Sequence, residues 1–134
     1  MGLFNNRIES FEIVTLHTSG MRHVCEYEIV MKDCNAEVSL YDLKFSQDKD
    51  DRRVLRKRAV CDEEKILKLL NACSLLSWNG FHGKHPKGVL DGTMFNLKAS
   101  VNGGTQIYAD GSQNFPRHYR DFTDALYEIL NTGT

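Results

Sequence analysis

The chain has 134 residues, 41% of them hydrophobic and 26% charged, which is length and apolar content enough to bury one core without disulfide or metal staples. Seventeen basic against eighteen acidic side chains leave a net charge of −1, so no global field attracts nucleic acid or an anionic membrane, and any charged partner must be met by a local patch. The four cysteines, Cys25, Cys34, Cys61 and Cys73, contain no Cys-x-x-Cys pair and read as free thiols rather than a disulfide framework.

Met1 to Arg7 has neither a basic n-region nor an apolar h-region, and no run approaches the length of a membrane span. The expectation is a cytoplasmic protein with no membrane partner. Phe11 to Leu16, apolar and β-branched, opens an antiparallel meander that Ser19-Gly20 punctuates. From His23 to Lys32 the chain alternates: Cys25, Tyr27, Ile29 and Met31 point one way, Glu26 and Glu28 the other, as on a half-buried strand. Asp33-Cys34-Asn35 turns into Ala36 to Phe45, where the apolar phase shifts from Val38 and Leu40 to Tyr41, Leu43 and Phe45. A one-residue phase change within a strand is what a bulge produces, so a β-bulge is expected near Leu40.

After the polar turn Gln47 to Asp51 comes the segment from Arg52 to Cys61. It reads as an edge strand whose charges discourage further pairing, with a helix as the other reading. Asp62 is a candidate N-cap, Glu63 and Glu64 suit the positive end of a helix dipole, and Ile66, Leu69, Leu70 and Cys73 recur at helical spacing. This helix is expected to end near Leu75 or Leu76. Ser77 to Gly92 carries breakers too densely for a regular element and reads as the longest loop. Thr93 to Val101 and Thr105 to Asp110 then alternate about Asn102-Gly103-Gly104, whose adjacent positive-φ positions predict a two-residue hairpin. Gly111-Ser112-Gln113-Asn114-Phe115-Pro116 turns the chain, with Pro116 suited to the first helical position. Tyr119, Phe122, Leu126 and Ile129 give the closing helix an apolar stripe to lay on the sheet.

The sum is one α+β domain over residues 1–134, with an ordered core of about 8–130. It consists of a mostly antiparallel sheet of about six strands, a meander plus a C-terminal hairpin, with two helices on one face.

The meander, the helix running to Ser77-Trp78-Asn79-Gly80, the strand opened by Asp91-Gly92 and the Gly111 to Pro116 corner together resemble a family of small bacterial domains of unknown function. That family, common in Gram-positive gut bacteria, carries a Gly-Ser-x-Asn-aromatic-Pro corner before its last helix. The resemblance spans roughly residues 8–130 and implies the architecture without an activity.

Four places carry candidate chemistry. His82 and His85 stand three apart in a glycine-containing loop, a spacing that could share one zinc ion, but the nearest cysteines, Cys61 and Cys73, flank a predicted helix instead of forming a close pair. His23 and Cys25 share a strand face, yet Cys25 falls on the predicted core side, where thiols are inert. Arg52, Arg53, Arg56, Lys57 and Arg58 could grip phosphates with Tyr27 or Tyr41 stacking on a base. Alternation instead divides them, Arg52, Arg56 and Arg58 against Arg53 and Lys57, beside the neutralising Asp48, Asp50 and Asp51. In the Gly111 to Pro116 corner, Ser112 and Asn114 could hold an anion or a carboxylate near a helix start, or simply cap that helix.

The leading expectation is a non-enzymatic binding or interaction module whose surface combines Trp78, Phe81, His82, His85 and Asp91 with Ser112 and Asn114. Its partner would be another protein or a small ligand, without cofactor or metal. A small hydrolase or metal-dependent enzyme using His82 and His85 is the second reading, and a nucleic-acid binder using Arg52 to Arg58 the third.

Overall fold

The computed structural model describes residues 7–20, 24–44, 52–84, 87 and 93–132. Seven strands form one sheet: β1 (Phe11–Ser19), β2 (Val24–Lys32), β3 (Asn35–Lys44), β4 (Arg52–Asp62), β5 (His82–Gly83), β6 (Met94–Val101) and β7 (Thr105–Ser112). Their spatial order is β4-β3-β2-β1-β6-β7-β5, antiparallel throughout except for the parallel pair of β5 with β7. Helix α1 (Glu63–Ala72) and helix α2 (Tyr119–Thr132) touch each other, and both pack on β3 and β4, so they cover the same face. The α+β class follows, with one strand beyond the expected six because β5 is only two residues long.

Matched periodicities explain the packing. Val14, Leu16, Ile29, Val38, Leu97, Ala99 and Ile107 alternate inward along their strands and join Ile66, Leu70, Phe122, Leu126 and Ile129 of the helices in one buried cluster. At the end of the sheet where β5 lies, six aromatic rings continue that core. Phe81, Phe95, Phe115 and Tyr119 follow one another at centroid distances between 4.6 and 6.1 Å, and Trp78 joins Tyr119 and Phe122.

Several local expectations are corrected. Helix α1 stops at Ala72, not Leu75, because Ser74 takes a left-handed φ of 53° and starts a 3₁₀ turn over Leu75–Trp78. Val101 pairs with Thr105, so the hairpin loop has three residues, Asn102, Gly103 and Gly104, all at positive φ. Pro116 precedes the last helix instead of opening it. Tyr119 N–H donates to Pro116 O, His118 sits at a φ of 70°, and the His118 carbonyl accepts the Phe122 N–H, which makes His118 the capping residue. The bulge does fall at Leu40/Tyr41, but its extra residue is Arg56 on the partner strand, and β4 is an edge strand.

Two asparagines fasten the segment before β1. Asn71 on α1 accepts the Ile8 N–H at 2.8 Å and donates to the Ile8 carbonyl at 3.0 Å. Asn102 accepts the Glu9 and Ser10 N–H groups at 2.7 and 3.2 Å and donates to the Arg7 carbonyl.

Candidate functional site

With both helices on one face, the other face of the sheet is left open by the described residues, and strand register decides what it displays. Glu26 pairs with His17, His17 with Asn96, Asn96 with Asp110 and Asp110 with His82. These five side chains form one row across β2, β1, β6, β7 and β5, a span of roughly 19 Å at about 4.8 Å per strand. Directly opposed side chains have Cβ atoms about 5 Å apart, close enough for neighbours in such a row to meet one small ligand.

The row ends in a pocket of about 450 Å³ lined by His17, Ser19, His82, Lys84, Met94, Asn96, Asp110 and Ser112, with Phe95 and the glycines Gly83 and Gly111 supplying the rest. That volume lies within the range of small-molecule sites. His82 Nδ1 hydrogen-bonds Asp110 Oδ1. A carboxylate oxygen accepts, so in this pair Nδ1 carries the proton and donates, which leaves Nε2 facing away from Asp110. Asn96 Nδ2 donates to the Tyr108 hydroxyl at 3.0 Å, which orients its amide.

The chain before β5 explains why His82 is there. Asn79 Oδ1 accepts the Tyr108 N–H at 3.0 Å, Gly80 N–H donates to the Tyr108 carbonyl at 2.8 Å, and the Phe81 carbonyl accepts the Asp110 N–H at 3.0 Å. Asn79 to Gly83, part of what reads as a structureless loop, is thereby stitched along β7.

The sequence-predicted site residues are dispersed. Trp78 is a core residue at 1% exposure, its indole N–H donating to the carbonyls of Cys73 and Arg117 at 3.1 Å each, so it offers no surface to a partner. Phe81 is half-buried against Phe95. His82 and Ser112 do line the pocket, whereas Asn114 is exposed and brings its carbonyl oxygen against Gly83 and Gly111. His85, Asp91 and His23 lie outside the described residues. Cys25 is half-buried beside Thr18 Oγ1 at 3.2 Å. Among the described residues, no group of three or more His, Cys, Asp or Glu side chains is placed to hold a metal ion, and no helix is long and apolar enough to cross a membrane.

The basic run is divided differently from the simple alternation, because the Arg56 bulge resets the phase of β4. Arg53 lies on the open face, where Nη1 meets Glu26 Oε2 at 2.8 Å and Glu28 Oε2 at 3.1 Å while the guanidinium lies 3.9 Å from the centre of the Tyr41 ring. Those bonds, Glu26 first, hold its pKa above the usual arginine value. Arg58 pairs with Glu37 at 3.3 Å and donates to Ser39 Oγ and the Tyr41 hydroxyl. Arg56 meets Asp42 at 3.6 Å, and Lys57 reaches Asn131 on α2. All four cations of the run whose side chains are described are thus engaged within the chain. Tyr41 is buried, and Tyr27 packs against the core, where burial raises its phenol pKa, so neither presents a free face to a base.

Sequence reasoning missed His17, Glu26, Asn96 and Asp110. Each sits at a polar position of an alternating strand, a signal visible one strand at a time, but only non-local register joins them. No protein-family model matches the chain, and neither a curated protein nor a solved structure matches it significantly.

Proposed function

We propose that the protein is a binding module for a small ligand, taken in the pocket at the β5 end of the open sheet face. The observation that supports this most directly is the row Glu26, His17, Asn96, Asp110, His82 running into a 450 Å³ concavity that pairs convergent polar groups with the apolar Met94 and Phe95. Trp78, the aromatic residue best suited to anchor a protein partner, is buried, which favours a small ligand over a protein. The test is a fragment screen on isotope-labelled protein. Ligands are expected to shift the amides of His17, Asn96, Asp110 and Ser112 together, and Asn96→Leu to abolish the shifts. Shifts confined to other surfaces would reject the pocket.

The His82–Asp110 pair supports hydrolysis as the second reading, because a carboxylate on Nδ1 is how an imidazole general base is oriented. Hydrolysis of activated esters that is lost in His82→Ala and in Asp110→Asn would favour it.

A further inference from the structure

Beside the pocket, and sharing His17 and Asn96 with it, lies a second concavity of about 340 Å³ lined by Thr15, His17, Glu26, Asn96 and Lys98. The two adjoin at His17 and Asn96, on the open face beside β1. Resting on the small-ligand reading above, we infer that the ligand is a zwitterion, an α-amino acid or a short peptide with free termini, held with its ammonium at Glu26 and its carboxylate at Lys98.

Register places the two charges. Glu26 is opposite His17 and Lys98 is opposite Thr15, so they flank β1 diagonally from β2 and β6. Their backbones are separated by two strand spacings, roughly 10 Å, and both side chains are long enough to lean over β1 toward a head group between them. Glu26 commits Oε2 to Arg53, leaving Oε1 as an acceptor. Among the described residues Lys98 has no ion-pair partner, unlike Arg53, Arg56 and Arg58 of β4.

The charge balance selects the class. Among the carboxylates and ammonium groups, Glu26 and Asp110 offset Lys84 and Lys98, while Arg53 beside Glu26 is offset by Glu28, so opposite charges stand at each end and balance. A phosphate or polyanion would gain at each lysine and lose at each carboxylate, whereas a dipolar ligand gains at both. From a head group over Thr15 and His17, the ligand's side chain would run past Asn96 to the exposed Met94 in the larger pocket.

The test uses the full chain and phenylalanine, compared with N-acetylphenylalanine, which lacks the ammonium, and phenylalaninamide, which lacks the carboxylate. Phenylalanine is expected to shift the amides of Thr15, His17, Asn96 and Lys98 with one affinity, and each blocked compound to bind about tenfold more weakly. Lys98 is exposed, so Lys98→Gln leaves folding intact. It should erase the preference for phenylalanine over the amide while keeping the preference over the acetylated form, and Glu26→Gln should do the reverse. Equal binding of all three compounds, or uncharged fragments shifting these amides while free amino acids do not, would overturn the zwitterion alone. If neither fragments nor amino acids at millimolar concentration shift them, the small-ligand reading falls with it.

Discussion

Gly83 and Gly111 are register partners in the parallel pair of β5 and β7, and both abut the same carbonyl oxygen, that of Asn114. A Cβ on either would overlap that oxygen, and on Gly111 it would also come within 2.7 Å of Phe95 Cε1. The corner after β7 therefore folds back onto both strands at backbone distance, which brings Ser112 to the rim of the pocket.

Gly111→Ala is expected to destabilise the fold by about 3 kcal/mol, the upper part of the overpacking range, because the obstacle is backbone and not the end of a flexible side chain. Gly80, which unlike Gly111 sits at positive φ but has open space around it, should lose less on the same change. Denaturant unfolding of the two variants checks the order, and an equal loss would remove the packing argument.

Trp78→Phe should cost about 3 kcal/mol. The change removes buried ring volume and the N–H that joins the carbonyls of Cys73, after α1, and Arg117, before α2. Thermal unfolding with retained sheet signal at low temperature would show the loss, and a melting point unchanged from wild type would contradict it.

The architecture was legible because its signals are local. Phe122, Leu126 and Ile129 at helical spacing and Phe95, Leu97 and Ala99 at strand spacing each announce a buried face, and both are buried. The phase change at Leu40 announced the bulge, although not that Arg56 would be its extra residue. What stayed hidden depends on pairing between distant segments. β5 is too short to show a period and exists because Asn79, Gly80 and Phe81 find partners on β7. Likewise nothing near His17 in sequence points to Asn96 or Asp110. Pro116 misled because a proline is equally at home in the turn before a cap, and a histidine at positive φ is a poor sequence signal for one.

The stability of the fold should fall in alkali. Burial, with a smaller push from Asp121, raises the Cys73 thiol from its ordinary 9.0 to about 11, and burial raises the Tyr119 phenol as well. A group whose folded-state pKa exceeds its unfolded value holds its proton more tightly when folded. Its stabilisation is complete below about pH 9 and lost as the pH rises toward 11. The melting temperature should decline across that window, and Cys73→Ala should flatten the first part of the decline. A profile identical in wild type and variant would refute the assignment to Cys73.

Single-stranded nucleic acid should associate only at low salt and dissociate by physiological ionic strength, since Arg53, Arg56, Lys57 and Arg58 all have partners within the chain. Arg53→Ala should leave Glu26 and Glu28 facing each other and cost about 1 kcal/mol. Micromolar binding that survives physiological salt and disappears in an Arg53→Glu, Arg56→Glu variant would restore the nucleic-acid reading.

The side chains of Asn71 and Asn102 hold Arg7 to Ser10 from two directions, one from a helix and the other from the tip of the β6–β7 hairpin. That short piece of backbone is thus a mechanical tie between the two layers of the molecule. The amides of Ile8, Glu9 and Ser10 should exchange with solvent as slowly as those of the central strands, and a protease acting in this region should cut only once the tie has opened. Strain applied at residue 7 would then be felt first at the hairpin tip, 95 residues further along the chain.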